Sequence, residues 1–413
     1  MLNNIPKKLS IFDRDKHQLS MFEKICIKSR ELNEERLNIS FLIDTMLFYG
    51  EVNILAHTAE MVKLLTTFGE RTLHDLIERG RLKLHIRQNI LGVAKQPFAH
   101  DTHYGVELFR GNAVSVHNIL YTAHQQVVHN SVQNMKFADQ FSALASGHEY
   151  DPVVRQMVDA DFQNIAYLTR AVTEILHTYI PEYAPVEPLR IEIEKDARPC
   201  GPFSATYSVH SNIDFDMINA IYAKRGQAGP CYASLLLALV ESRGDNYIAG
   251  QFGSEFATSD LHSSLMNLQI ADVIQRTRKS EGEMTEFKKH VLAECPSIGE
   301  AFTTGQINSE QLLDTLEESD KFREWLHATT PGVDLVHRYI TEEVTPALSE
   351  KSIVKTIRVA ITGLVGLIPA LGPILGTVTS VIDTFFVDKL INGWKPSHFI
   401  ESKLKPTLFA KSH

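Results

Sequence analysis

Apolar residues recur along this chain with two periods, and these separate predicted strands from predicted helices. Residues 81–87 alternate between polar and apolar at every step, which predicts a half-buried strand. Residues 51–56 form a short apolar run typical of a buried strand, and residues 57–80 carry the helical period with a break at Gly69. The order strand, helix, strand predicts a small α/β unit within residues 38–95.

Helical periodicity dominates the rest of the chain. It covers residues 18–38, 106–147, 151–179 and 214–348. Residues 189–195 and 203–210 instead alternate like two paired strands and follow a proline-rich connector. The pattern predicts an α+β fold that is predominantly α-helical, with a small N-terminal α/β unit, a helical middle with a β-hairpin insertion, and a C-terminal apolar helical hairpin.

This order of elements predicts five regions. They are a helical lead-in at 1–37, the α/β unit plus helices at 38–180, a proline-rich connector and β-hairpin at 181–212, a helical domain at 213–350, and the apolar helical hairpin with a basic tail at 351–413. Within the fourth region, the apolar run around Leu235–Val240 indicates a buried helix rather than a functional site.

The C-terminal hairpin is predicted from 24 consecutive uncharged residues between Arg358 and Asp383. Prolines and a glycine interrupt this run at its centre, so it predicts two short helices rather than one long span. Small residues let the two helix backbones approach closely. The residues expected to shape this packing are Gly363, Gly366, Pro369, Gly372, Pro373 and Gly376.

Two locations remain open for this hairpin. One is a soluble core or an oligomer interface, and the other is a membrane. Basic and aromatic residues flank the run, as expected where a segment docks on a membrane surface or a partner. They are Lys355, Arg358, Phe385, Phe386, Trp394 and Lys395. The hairpin resembles the hydrophobic hairpin of pore-forming colicins, and the resemblance implies burial in a helical bundle until insertion.

Composition favours a globular cytoplasmic protein. The chain has 413 residues, 44% of them hydrophobic and 22% charged, which is enough to build cores without covalent staples. Its four cysteines are far apart and form no C-x-x-C pair, so we expect neither a disulfide framework nor a zinc ribbon. The first residues carry no apolar signal segment. We expect a cytoplasmic location, peripheral to the inner face of the membrane if the hairpin docks there.

Net charge limits the class of partner. The chain carries −9 overall, but the tail from Lys389 onward carries +4, which leaves −13 on residues 1–388. An acidic body disfavours nucleic-acid binding, because phosphate contacts need clustered basic residues. We therefore expect a homo-oligomer or a protein partner, with a membrane surface as an alternative and no nucleic acid.

Candidate catalytic chemistry is sparse. The run Phe-Leu-Ile-Asp-Thr that ends at Thr45 resembles the start of a PIN-type nuclease, in which an apolar strand ends in a metal-binding aspartate. The resemblance implies a metal role for Asp44, and the alternative is an aspartate in a cap or turn. His100 and His103 are alternative metal ligands in a loop, unless they are simply solvated or hydrogen-bonded. No standard nucleotide or nucleophile motif is present, so no cofactor is expected.

These observations favour a non-enzymatic interaction or effector protein. Its apolar hairpin would mediate oligomer packing or conditional membrane engagement, as in a defence effector. The alternative is a metal-dependent, PIN-like nuclease that uses Asp44.

Overall fold

The computed structural model describes two compact units. One is Lys24–Lys279, and the other joins Met1–Glu23 to Ser280–His413. The described residues are 22–28, 37–98, 101–110, 115–185, 187–227, 229–269, 271–292 (backbone only for 271–276), 295–327, 335–336, 338–339 and 396–409.

A five-stranded parallel sheet forms the centre of the Lys24–Lys279 unit. Numbered along the chain, its strands are β1 (Lys24–Lys28), β2 (Glu51–Ala56), β3 (Lys83–Arg87), β6 (Ser146–His148) and β9 (Glu255–Ala257). Their order across the sheet is β6-β3-β2-β1-β9, and every neighbouring pair is parallel. The predicted strands at 51–56 and 81–87 are confirmed as β2 and β3. Strands β2, β3 and β6 therefore follow one another on one side of β1, and β9 lies on its other side.

A four-stranded antiparallel sheet completes the β structure described in this unit. Its strands are β4 (Ile90–Phe98), β5 (Asp101–Phe109), β7 (Ile191–Lys195) and β8 (Thr206–Ser211), in the order β4-β5-β8-β7. The two strands predicted at residues 189–195 and 203–210 are confirmed as β7 and β8. The β4–β5 hairpin was not predicted, and the helical pattern assigned from residue 106 is wrong at its start, where β5 continues to Phe109.

Helices surround both sheets. In the first unit they are α1 (Ile39–Phe48), α2 (Thr58–Glu78), α3 (Val116–Val127), α4 (Ser131–Leu144), α5 (Val153–Phe162), α6 (Ile165–Tyr179), α7 (Phe215–Lys224), α8 (Tyr232–Phe252) and α9 (Asp260–Gln269). Helix α10 (Ala271–Val291) runs across the boundary between the units. The second unit contains α11 (Ile298–Thr303), α12 (Ser309–Glu318), α13 (Asp320–His327), α14 (Pro396–Phe399), a π-helical turn (Ile400–Leu404) and α15 (Lys405–Phe409).

Helix boundaries follow local signals that the periodic pattern alone does not resolve. The predicted break at Gly69 is confirmed, with φ +72° inside α2. The single helix predicted over 151–179 is wrong, because Asn164 starts a new helix by accepting the backbone N–H of Tyr167 on its side chain. The helix predicted over 18–38 is also wrong where β1 forms, since Lys24–Lys28 alternates like a strand.

The two faces of the parallel sheet differ in chemistry. Strand register places Lys28, Arg87 and His148 on one face, beside Cys26 and Leu55. That face belongs to the core shared with α5, α6, α8 and α9. The opposite face carries the apolar alternates of β1, β2 and β3, and α1 and α2 pack against β2. Polar side chains on the first face are therefore covered by helices rather than exposed.

Aromatic residues form the centre of the second unit. The rings of Phe322 and Trp325 stack at 5.7 Å between centroids, and Phe322 stacks on Phe399 at 5.5 Å. The ring centroid of Phe287 lies 5.8 Å from that of Phe322. These contacts tie the residues around α10 and α13 to the short helices near the C-terminus.

The predicted apolar hairpin lies outside the described residues. This applies to Gly363, Gly366, Pro369, Gly372, Pro373, Gly376, Lys355, Arg358, Phe385, Phe386, Trp394 and Lys395. Among the residues that the structure does describe, no helix combines the length and apolar character needed to cross a membrane.

Candidate functional site

A buried ion pair joins the end of β1 to helix α8. Lys28 Nζ donates to Asp245 Oδ1 at 2.8 Å, and the two side chains are only 4% and 0% exposed. Thr258, which follows β9, donates its hydroxyl to Asp245 Oδ2 at 3.1 Å. The ring of His262 also lies 3.2 Å from that oxygen through Nδ1. Three elements therefore converge on one carboxylate.

The charges of this pair stabilise each other. Burial alone would raise the pKa of Asp245, but Lys28 and His262 outweigh it and lower that pKa to about 2. Burial likewise opposes the charge on Lys28, but Asp245 and Glu241 raise the net pKa of its ammonium above the ordinary value. Both groups are thus ionised at neutral pH.

His262 lies between two carboxylates. Ser259 accepts the backbone N–H of His262 and caps the first turn of α9, which fixes the position of the ring. Nδ1 faces Asp245, and Nε2 lies 3.4 Å from Glu241 Oε2. Buried Nε2 makes no hydrogen bond within the described part of the chain. If Nδ1 carries the proton that Asp245 accepts, Nε2 presents a lone pair.

Arg87 and His148 extend the site along the ends of β3 and β6, where they are register partners. His148 is 6% exposed, and its Nε2 is buried without a hydrogen-bond partner among the described residues. Burial, with His85 and Arg87 nearby, lowers the pKa of His148 to about 4, so the ring is neutral at pH 7. Arg87 lies close enough to Lys28 to oppose its charge.

Tyr150 lies between the ring of His148 and the part of α8 that carries Asp245. Its ring lies 5.6 Å from that of His148. Gly244 lets it approach α8 beside Asp245, because a Cβ on Gly244 would lie 3.0 Å from the Tyr150 hydroxyl. Burial, together with the nearby charges, raises the pKa of Tyr150 to about 12, so it stays protonated. We call Lys28, Arg87, His148, Asp245 and His262 the carboxyl-edge cluster.

The location of the cluster matches the place where α/β sheets bind ligands. Lys28, Arg87 and His148 are the last residues of their strands, so they share the carboxyl edge of the sheet. The chain reverses its direction across the sheet between β1 and β9. Open α/β sheets bind ligands outside the carboxyl ends of their strands at such a reversal. Lys28, Arg87 and His148 therefore lie at the edge where such sheets bind ligands, although their side chains are buried beneath helices.

The residues predicted for metal chemistry are arranged differently. Asp44 is buried in the middle of α1, so the expectation that its segment is a strand is wrong. His100 lies outside the described residues, whereas His103 meets Asp196 and Cys200. Within the described ranges, no group of three potential metal ligands includes Asp44.

No member of the carboxyl-edge cluster was predicted from the sequence. One signal was available, because β1 and β3 both end in a basic residue that shares a face with other polar residues. A second signal was the pair of acids Glu241 and Asp245 in α8, directly after an apolar run, where an unpaired buried charge is costly. Comparisons with protein-family descriptions, curated proteins and solved structures find no match to this chain.

Proposed function

We propose that the Lys24–Lys279 unit is an enzyme that hydrolyses a phosphate ester at the carboxyl edge of its parallel sheet. One observation carries the proposal. Two buried imidazole Nε2 atoms, on His148 and His262, lack hydrogen-bond partners within the described residues beside the Lys28–Asp245 ion pair. Buried polar atoms are normally satisfied, so such atoms at a ligand-binding edge favour contact with a bound molecule.

Arg87 favours an anionic substrate. It brings a buried guanidinium to the end of β3, and such groups bind phosphate oxygens in a bidentate manner when they exchange their partners within the chain. Lys28 adds positive charge nearby and also keeps Asp245 ionised. His148, neutral at pH 7, can donate a hydrogen bond to an ester oxygen through Nε2.

His262 supplies the proton transfer in this proposal. Its Nε2 takes a proton from water while the water oxygen forms a bond to phosphorus. The ester P–O bond breaks, and the proton passes from His262 to the departing alcohol oxygen. Asp245 holds the ring through Nδ1 and stabilises the transient imidazolium, and Glu241 adds a second carboxylate 3.4 Å from Nε2.

The test compares two arginines. Wild-type chain is expected to hydrolyse p-nitrophenyl phosphate or bis(p-nitrophenyl) phosphate, with inorganic phosphate as a competitive inhibitor. Arg87→Lys keeps the charge but loses the bidentate contact, so we expect KM to rise about 10- to 100-fold. Arg110→Lys is the control, because Arg110 is exposed and pairs with Glu149. Absence of both turnover and phosphate-induced stabilisation, or equal effects of the two substitutions, would contradict the proposal.

The apolar segment supports a second candidate function. The uncharged run 359–382 favours the predicted role in oligomer packing or conditional membrane engagement, a non-enzymatic function that can coexist with catalysis in the other unit. We expect Gly366→Leu combined with Gly376→Leu to disrupt hairpin packing, because both glycines allow close helix approach. Oligomeric state, melting temperature and liposome binding report the effect. If all three stay unchanged, the hairpin role is wrong.

A further inference from the structure

We propose that the antiparallel sheet carries a zinc site built from His103, Asp196 and Cys200. One nitrogen, one carboxylate oxygen and one thiol sulfur from these residues all lie within 4.8 Å of one another. His103 lies in β5, Asp196 directly follows β7, and Cys200 lies in the connection from β7 to β8. Two segments, strand β5 and the connection from β7 to β8, therefore bring three different donor types together.

The donor set selects the metal. Imidazole, carboxylate and thiolate groups together are typical of Zn²⁺, and Co²⁺ occupies the same sites. Zinc bonds of about 2.0–2.3 Å place tetrahedral ligand atoms roughly 3.3–3.8 Å apart. The cluster needs only small side-chain rotations to reach that spacing, during which the His103–Asp196 hydrogen bond of 2.7 Å opens. Three protein ligands leave the fourth position to water.

Thr206 orients two of the three ligands. Its hydroxyl donates to Asp196 Oδ2 at 2.5 Å and accepts the backbone N–H of Cys200 at 3.0 Å. Thr206 is fully buried, so these two bonds hold the carboxylate and the cysteine backbone in one place. Metal sites commonly depend on such outer hydrogen bonds to position their ligands.

The loop that carries Cys200 is conformationally restricted. Prolines at 199 and 202 fix two φ angles, and Gly201 between them has φ +68°, a conformation that favours glycine. A Cβ on Gly201 would also lie 2.7 Å from the side-chain oxygen of Gln96. The thiol is therefore presented by a defined backbone rather than by a variable loop.

The second group of potential ligands among the described residues is a weaker candidate. His74, Asp75 and Glu78 lie within one turn of α2, and Glu78 is exposed. Acidic groups on one exposed helix turn are common without a metal, and the donor set lacks a thiolate. The His103 group differs because its imidazole and carboxylate are 16% and 13% exposed and its ligands come from two segments that are distant along the chain.

Cobalt titration of the full chain tests the site. We expect one Co²⁺ per chain with a thiolate-to-cobalt charge-transfer band in the near ultraviolet, displaced by Zn²⁺. Cys200→Ser should abolish the band, whereas Cys231→Ser, which removes an exposed cysteine elsewhere, should keep it. Thr206→Val should weaken binding by about 10- to 100-fold, because it removes the orienting hydroxyl.

Three results would overturn the zinc site. They are a band that survives Cys200→Ser, a band that disappears in Cys231→Ser, and a wild-type chain that binds no stoichiometric Co²⁺. Circular dichroism verifies folding of each variant, and His103→Gln, which removes a different ligand, replaces any variant that fails to fold. This proposal is independent of phosphate ester hydrolysis, since binding is read without an enzyme assay.

Discussion

Replacing His262 with glutamine is expected to lower kcat for p-nitrophenyl phosphate by about 100- to 10,000-fold, the usual contribution of a general acid–base group. Glutamine keeps a side-chain amide that can donate to Asp245, which His262 contacts at 3.2 Å, but it supplies no titratable nitrogen. We therefore expect KM and the fold to change little. Steady-state kinetics and circular dichroism of the two proteins measure the effect.

His74 provides a matched control for this substitution. It also lies on a helix within 4.0 Å of two carboxylates, those of Asp75 and Glu78, but its side chain is 36% exposed. His74→Gln should leave kcat within a factor of about two. If both substitutions lower kcat equally, or if His262→Gln reduces only stability, His262 has a structural role and the proposed proton transfer is wrong.

The elements that could be predicted from the sequence are those with local signals. Strands β2 and β3, the break at Gly69 and the pair β7–β8 follow from alternation, glycine and turn residues within a few positions. Strand β1 was missed because its alternation lies inside the charged region 18–38, which was assigned as a whole to a helix. The hairpin β4–β5 was missed because the sequence at positions 99 and 100, between the two strands, holds neither glycine nor proline.

The site could not be predicted because its contacts are distant along the chain. Lys28 and Asp245 are 217 positions apart, and no local pattern connects them. The polar alternates of β3 predicted a face toward solvent, but Arg87 is 5% exposed. Helix α8 belongs to the core on that face and supplies Asp245, the partner of Lys28. The apolar run in α8 predicted only packing and did not indicate this ion pair.

The residues that lie beside His103 could not be predicted from the sequence for a similar reason. Its sequence neighbourhood suggested His100 as a co-ligand, since the two histidines are three residues apart. The structure pairs His103 with Asp196 across the sheet instead, at 2.7 Å. Strand order, not spacing along the chain, decides which donors meet.

Replacing Lys28 with methionine is expected to lower the free energy of unfolding of the Lys24–Lys279 unit by about 3–5 kcal/mol. Methionine fills a similar volume but leaves the Asp245 carboxylate buried with only the Thr258 hydroxyl and the His262 ring as contacts. An unpaired buried charge is costly because the interior solvates it poorly. Adding Asp245→Asn should recover most of the loss, since a neutral amide can still accept both contacts.

Urea unfolding, with hydrogen exchange of the β2 amides to isolate this unit, measures these changes. Lys83→Met is the control, because Lys83 also pairs with a carboxylate, that of Glu51, at 2.6 Å, but is 53% exposed. An exposed pair contributes less than about 1 kcal/mol, so the control should stay within that range. A loss for Lys28→Met no larger than the control would mean that the buried Lys28–Asp245 pair contributes no more than an exposed ion pair. Lys28 would then not sustain the charge on Asp245, and the electrostatic basis for an activated His262 would fail.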